Sequence, residues 1–170
     1  MGNRLASAQQ RRQPALGFEA AVAVGQAGGA VPHRLGDAVA RVAGVADDAA
    51  AAFIERLGLD DTQLAVIAEA TAQAEAAMGK EAFPKVLVVS AKGWHPGVVG
   101  IVASRISKQY HRPTFVIGID ESGLGKGSGR SIPGISLVAA LDSCRELIAA
   151  GGGHEMAAGV SVREENLEAF

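Results

Sequence analysis

Short apolar runs that alternate with amphipathic segments are the feature that most constrains the fold of this chain. Residues Val86–Val89 form one run, and Thr114–Ile117 form a second run directly after Pro113. Such runs, partly β-branched and bounded by breakers, are typical of buried strands. Between them, Pro96 suits the first turn of a helix that continues to about Gln109, because the N–H that proline lacks would be unpaired there anyway. A strand, a helix and a strand in this order predict an α/β fold.

The second half of the chain continues this alternation. Ser136 is predicted to cap a second helix that reaches Ile148 and is ended by the glycines at 151–153. The glycine-rich stretch 125–131 is predicted to be extended, and residues 156–162 alternate like a closing strand. We therefore expect a small mixed β-sheet flanked by helices.

The first third of the chain carries a weaker pattern. Residues 1–58 are rich in alanine and glycine, which predicts an Ala-rich helical or irregular N-terminal segment with no assigned function. Asp60 followed by Gln63 resembles a capping box, which predicts a connector helix within 59–79. Residues 85–165 are predicted to form the α/β domain.

Bulk properties exclude several classes of protein and site. The net charge of −2 gives no overall basic field, so any contact with nucleic acid must come from a local patch. The single Cys144 excludes an intramolecular disulfide and a CxxC metal site. No apolar run approaches the roughly 20 residues of a spanning helix, and residues 1–13 do not resemble a signal peptide. We therefore expect no membrane contact and a cytoplasmic location.

Gly151, Gly152 and Gly153, followed by His154, form the first candidate site. Consecutive glycines let a ligand approach main-chain N–H groups, and successive N–H groups in a turn form a concave anion site. The histidine adds a donor that can carry charge near neutral pH. The pattern indicates a phosphate-handling loop, and a merely flexible turn is the alternative.

Ser128, Gly129 and Arg130 form the second candidate site. A guanidinium fork matches phosphate oxygens, and Ser128 would lie on the same side as Arg130 in an extended segment. A hairpin turn with a solvated arginine is the alternative. His95 precedes the helix that Pro96 begins, where it either contacts a substrate or only caps the helix.

Motifs for metal-dependent and nucleophilic hydrolysis are absent from the sequence. It contains no Asp-His-His, HExxH, GxSxG or P-loop motif, and its carboxylates have no metal-binding spacing. Two-metal phosphoester hydrolysis requires several ligands that converge. We therefore predict no metal site and no cofactor in this chain.

Four motifs in order resemble the RecJ exonucleases, which are single-strand-specific 5′→3′ enzymes of the DHH phosphoesterase superfamily. They are Ala91–Arg105 with its Trp-His-Pro-Gly-Val-Val-Gly stretch, Arg112–Thr114, Gly125–Ser131 and Gly151–Gly159. The matched region is similar to the DHHA1 domain, the second lobe of that catalytic core. The glycine motif resembles any DHHA1 protein, whereas the Trp-His-Pro-Gly stretch indicates RecJ.

The resemblance implies a function in DNA repair and recombination. In this family a DHH lobe hydrolyses the substrate with Mn²⁺ or Mg²⁺, and the DHHA1 lobe holds single-stranded DNA. By motif, Ser128 and Arg130 would grip a terminal 5′-phosphate, and Gly152, Gly153 and His154 would lie against the scissile region. His154 would touch a substrate phosphate, and His95 would line the same groove.

The sequence has no DHH motif, so the resemblance implies a fragment that binds DNA and is inactive alone. Its metals would belong to a DHH lobe, supplied as a separate chain if the gene is split. A DHHA1 lobe of an oligoribonuclease or cyclic-dinucleotide phosphodiesterase is the first alternative. A non-catalytic α/β interaction module is the second.

Overall fold

The computed structural model describes residues 20–24, 60–78 and 84–170. The N-terminal segment predicted over 1–58 lies outside these residues except for Ala20–Val24, which form a strand instead of helical or irregular structure. In chain order the elements are β1 (Ala20–Val24), α1 (Asp61–Met78), β2 (Val86–Lys92), α2 (Pro96–Tyr110), β3 (Thr114–Ile119), β4 (Leu124–Arg130), α3 (Leu137–Ser143), β5 (Ile148–Gly153) and β6 (Ala157–Arg163). No helix in the described ranges is both long and apolar enough to cross a membrane.

The strands form one six-stranded sheet in the order β1-β2-β3-β4-β6-β5. Strands β1, β2 and β3 are parallel, and the other neighbours are antiparallel. Helix α2 connects the parallel strands β2 and β3, since a parallel pair needs a crossover. The prediction of a small mixed sheet flanked by helices is confirmed.

Apolar side chains on the two faces of the sheet form separate cores. Helices α1 and α2 pack on what we call the front face, over residues such as Leu87 and Val116. Helix α3 and the C-terminal residues pack on the rear face, over residues such as Val88 and Ile117. Neighbouring residues of one strand contribute to different cores because strand side chains alternate between faces.

Helix α1 lies within the segment predicted to be a connector helix and packs on the front face of the sheet. Its N-terminus is capped by Asp60, whose Oδ1 accepts a hydrogen bond from Gln63 N at 2.8 Å. Leu64 and Ile67 are buried in the front core. The side-chain amide of Gln73 bonds both the N–H and the carbonyl of Ser90, each at 3.2 Å. Both packing and hydrogen bonds thus hold helix α1 against β2.

The second predicted helix is shorter than expected. Helix α3 ends at Ser143, and a 3₁₀ turn over Arg145–Leu147 leads directly into β5. The prediction that this helix reaches Ile148 and is ended by the glycines was wrong, because Ile148 begins a strand and pairs with Val162. Glycine is a poor helix former, and pairing with β6 satisfies the backbone groups on one side of the glycine run.

Candidate functional site

Among the residues that the structure describes, nothing covers one side of the front face of the sheet. Helix α2 packs over β3 and β4. Beyond it, Ser128 of β4 pairs with Gly159 of β6, which pairs in turn with Gly152 of β5. A Cβ atom at Gly159 or Gly152 would meet no heavy atom of the described residues within 4 Å. Because paired residues share a face, an open surface extends from Ser128 to the outer edge of the sheet.

Arg130 and Ser128 form a preorganised pair at the inner end of this surface. Arg130 Nη1 donates to Ser128 Oγ and to the Gly129 carbonyl, both at 2.8 Å. A Cβ at Gly100 of α2 would lie 3.3 Å from Arg130 Nη2, so the helix backbone passes close to the guanidinium. The segment is strand β4, and the alternative of a hairpin turn was wrong. A half-buried guanidinium fixed in this way can offer a planar set of donors to a phosphate.

Gly129 faces the rear core instead of the open surface. A Cβ at this position would overlap the ring of Phe115 and lie 3.0 Å from Leu137 Cδ1. Its lack of a side chain is therefore explained by packing. Gly129 contributes to the Arg130–Ser128 pair only through its carbonyl, which accepts a hydrogen bond from Arg130. A ligand contact at Gly129 stays a prediction.

Gly151, Gly152 and Gly153 lie in strand β5 and do not form the predicted loop. His154 N donates to the Ala157 carbonyl at 2.7 Å, which closes the hairpin between β5 and β6. Alternation in an antiparallel ladder then directs the backbone groups of Gly152 toward β6 and those of Gly151 and Gly153 toward the outer edge. Successive N–H groups were expected to form a concave anion site in a turn. In the strand, only the alternate N–H groups of Gly151 and Gly153 point outward, along the edge of the sheet.

The turn that carries His154 lies beside Arg130. Ala157, which bonds to His154, pairs with Arg130 across β4 and β6. Ser131 N, the next donor along the chain, bonds to the Met156 carbonyl at 3.0 Å. The fold therefore places the two candidate sites predicted from distant segments next to each other, with the His154 side chain exposed.

His95 caps helix α2. Its Nδ1 accepts from Gly97 N at 3.1 Å, so the capping alternative describes what the structure shows. Nδ1 is an acceptor here, so neutral His95 carries its proton on Nε2. Gly100, the residue of α2 beside Arg130, is five positions further along the chain, or about 7.5 Å along the helix axis. No hydrogen bond within the described ranges links His95 to Arg130, and its contact with substrate stays a prediction.

Arg145 is a residue of this region that the sequence pattern did not single out. Its Nη1 donates to the Gly151 carbonyl at 2.7 Å, and its Nη2 lies 3.1 Å from Asp142 Oδ1. The sequence could have indicated this contact only if residues 148–153 had been predicted as a strand. In a helix continuing through residue 148, Arg145 would lie on a helix face and could not reach a neighbouring strand edge in this way.

The carboxylates of the described residues do not assemble into a metal centre. Asp120 Oδ1 accepts from Ser122 Oγ at 2.6 Å and from Leu124 N at 3.1 Å, and these bonds lower the pKa of Asp120. Asp120 thus stabilises the turn between β3 and β4. In the part of the chain that the structure describes, no group of three or more His, Cys, Asp and Glu side chains could hold a metal ion. The described residues therefore do not fit the Mn²⁺ or Mg²⁺ that the resemblance implies.

Comparison with known families identifies the domain. The sequence model of the DHHA1 domain family matches residues 83–170, which is more than half of the chain. The chain therefore belongs to the DHHA1 domain family.

Relatives of this chain are single-stranded-DNA-specific exonucleases RecJ. The protein from Bacillus subtilis is 49% identical over 82 residues, which are 48% of this chain and 10% of that protein. The proteins from Haemophilus influenzae and Escherichia coli are 47% and 40% identical, over 45% and 54% of this chain and 14% and 16% of their own lengths. This chain thus spans only a small part of the relatives it matches.

Solved structures that match this chain are also of RecJ. A crystal structure of exonuclease RecJ bound to manganese is 34% identical, with a TM-score of 0.49 over 80% of this chain and 36% of that one. The structure of RecJ from Thermus thermophilus in complex with Mg²⁺ is 29% identical, with a TM-score of 0.46 over 79% of this chain and 24% of that one.

Proposed function

We propose that this DHHA1 chain binds the 5′-phosphate end of single-stranded DNA, as the DNA-holding part of a RecJ-like 5′→3′ exonuclease. The observation that carries the proposal is the Arg130–Ser128 pair, fixed at 2.8 Å at the inner end of an uncovered sheet surface. The relatives are named as single-stranded-DNA-specific exonucleases, which supplies the class of ligand.

The pair suits a terminal phosphate for electrostatic and geometric reasons. A guanidinium stays charged at all physiological pH values and binds two phosphate oxygens in its plane. The Ser128 hydroxyl and the Gly129 carbonyl hold one edge of that plane, so little side-chain entropy remains to be lost on binding. A terminal phosphate offers more oxygens and more charge than an internal one, so this site would favour a 5′-phosphate over a 5′-hydroxyl.

The hairpin of β5 and β6 would hold the part of the DNA that follows this terminal phosphate. Its outer edge presents the N–H groups of Gly151 and Gly153, and its turn presents the exposed His154. Backbone N–H groups bind phosphate oxygens without reading the base sequence. Such contacts fit an exonuclease lobe that accepts any sequence.

Hydrolysis would depend on residues outside those described. The matched RecJ structures hold Mg²⁺ or manganese. The sequence of this chain has no Asp-His-His motif. We therefore assign this chain the binding of DNA and derive no chemical step from its residues.

Fluorescence anisotropy with labelled single strands tests the proposal. We expect Arg130→Ala to weaken binding of a 5′-phosphorylated strand about tenfold, because a charge-assisted bidentate contact is lost. The slope of log affinity against log salt should also fall by about 0.7, the value of one phosphate contact on a single strand. Arg163→Ala is the matched control, since it removes the same charge from the same face about 20 Å along the strands.

Two results would contradict the proposal. Equal affinity for strands with a 5′-phosphate and a 5′-hydroxyl would contradict the assignment of Arg130 and Ser128 to the terminal phosphate. A dinucleotide that competes as well as a longer strand would instead favour a phosphodiesterase for small substrates.

A further inference from the structure

Strand β5 is poorly constrained by its own residues. Half of it is the run Gly151–Gly153, and glycine loses more backbone entropy on ordering than any other residue. It lies at the edge of the sheet and pairs only with β6 among the described strands. The outward groups of Gly151 and Gly153 therefore need another partner to be held in place.

Arg145 supplies that partner for one of these groups. Its Nη1 donates to the Gly151 carbonyl at 2.7 Å, and its Nη2 bonds Asp142 of α3 at 3.1 Å. One side chain thus bridges helix α3 and the outer edge of β5. Both charged side chains are more than half exposed, at 53% for Arg145 and 58% for Asp142. Their mutual attraction is consequently weak, and the main effect of Arg145 is on the position of β5.

We propose that Arg145 is a positioning residue that holds the glycine strand in the conformation that receives the DNA backbone. The inference rests on the proposed function, in which the outward N–H groups of β5 and the adjacent His154 contact the strand. Arg145 acts through the Gly151 carbonyl, which orients the following peptide groups up to the turn. Its Nη1 and Nη2 groups each donate one hydrogen bond within the protein, to Gly151 and to Asp142.

The experiment combines DNA affinity, salt dependence and local hydrogen exchange. We expect Arg145→Ala to weaken binding of a 5′-phosphorylated single strand about threefold to tenfold, because an exposed charge-assisted bond of this kind is of modest strength. The salt slope should stay at the wild-type value, because no phosphate contact is lost. Amide exchange should accelerate at His154, whose N–H bonds the Ala157 carbonyl, and at Gly152, whose N–H faces β6, while the urea midpoint of the whole domain stays unchanged.

Two further variants serve as controls. Arg145→Lys keeps a donor for the Gly151 carbonyl and should restore most of the affinity. Asp142→Asn removes the ion pair and leaves the bond to Gly151, so its affinity should stay close to that of the wild type.

The outcomes separate this inference from the proposed function. A salt slope reduced by about 0.7 in Arg145→Ala would show a direct phosphate contact and overturn the positioning role. If Arg145→Ala binds with unchanged affinity while Arg130→Ala loses affinity, the positioning role of Arg145 is contradicted and the proposed function stands. If the wild type does not distinguish 5′-phosphate from 5′-hydroxyl ends and Arg130→Ala has no effect, both proposals fail.

Discussion

Glycines on the two faces of this sheet serve opposite purposes. Gly125, Gly127 and Gly129 of β4 face the rear core, where an added Cβ would press on neighbouring side chains or backbone. Gly152 and Gly159 face the open front surface, where nothing described lies within 4 Å of such a Cβ. The first set is required by packing, because the strands and α3 fill the space that side chains would occupy.

The second set has no such structural requirement. Gly152 and Gly159 have no positive φ angle. Glycine within a strand costs about 0.5–1 kcal/mol relative to alanine, so these positions give up stability without a gain in packing. The proposed function would give them a purpose, because a ligand could approach the backbone closely there. The comparison teaches that a glycine-rich motif combines positions that serve the fold with positions that serve the surface.

The largest effect on stability is expected at the rear face. Gly129→Ala should lower the free energy of unfolding by about 3 kcal/mol, because the new methyl group overlaps Phe115 and crowds Leu137. Urea denaturation monitored by far-UV circular dichroism measures this loss. An unchanged midpoint would show that the rear core has room at this strand.

A smaller loss is expected at the end of β5. Gly153 has φ +150°, and a Cβ there would overlap the Ala157 carbonyl. Gly153→Ala should cost about 1–2 kcal/mol, since this edge hairpin can shift more readily than the core. Faster amide exchange confined to β5 and β6 would accompany it, whereas wild-type exchange rates would mean that the hairpin tolerates a side chain.

The smallest effect on stability, with the clearest effect on binding, is expected at the open face. Gly152→Ala should raise the free energy of unfolding by about 0.5–1 kcal/mol, because alanine loses less backbone entropy than glycine and the methyl group meets no described atom within 4 Å. The same variant should weaken binding of a 5′-phosphorylated single strand, measured by anisotropy, if the strand lies over this surface.

Gly123→Ala provides the converse control. Gly123 has φ +77° in the turn between β3 and β4, at the end of β4 remote from Arg130. Its substitution should lower stability and leave DNA affinity intact. A Gly152→Ala variant that binds normally would separate the glycine surface from the ligand, and one that unfolds would show that this surface is not open.

Much of the fold could be predicted from local patterns. The apolar runs indicated β2 and β3, and Pro96 after His95 marked the start of α2. The spacing of Ser128 and Arg130 predicted that they share a face, and their hydrogen bond confirms it. Strand β5 was missed because glycines carry neither an alternating nor a helical pattern, so nothing in the run itself distinguishes a strand from a loop. The contact of Arg145 was missed with it.

From the sequence alone came the elements with clear side-chain patterns, such as β2, β3 and α2, and the residues proposed to bind phosphate, including Arg130 and His154. Only the tertiary structure decided which glycines face the core and which face the open surface. The physical reason is that a glycine has no side chain to report its direction. Its environment is decided by register with distant strands, as in the row from Ser128 through Gly159 to Gly152.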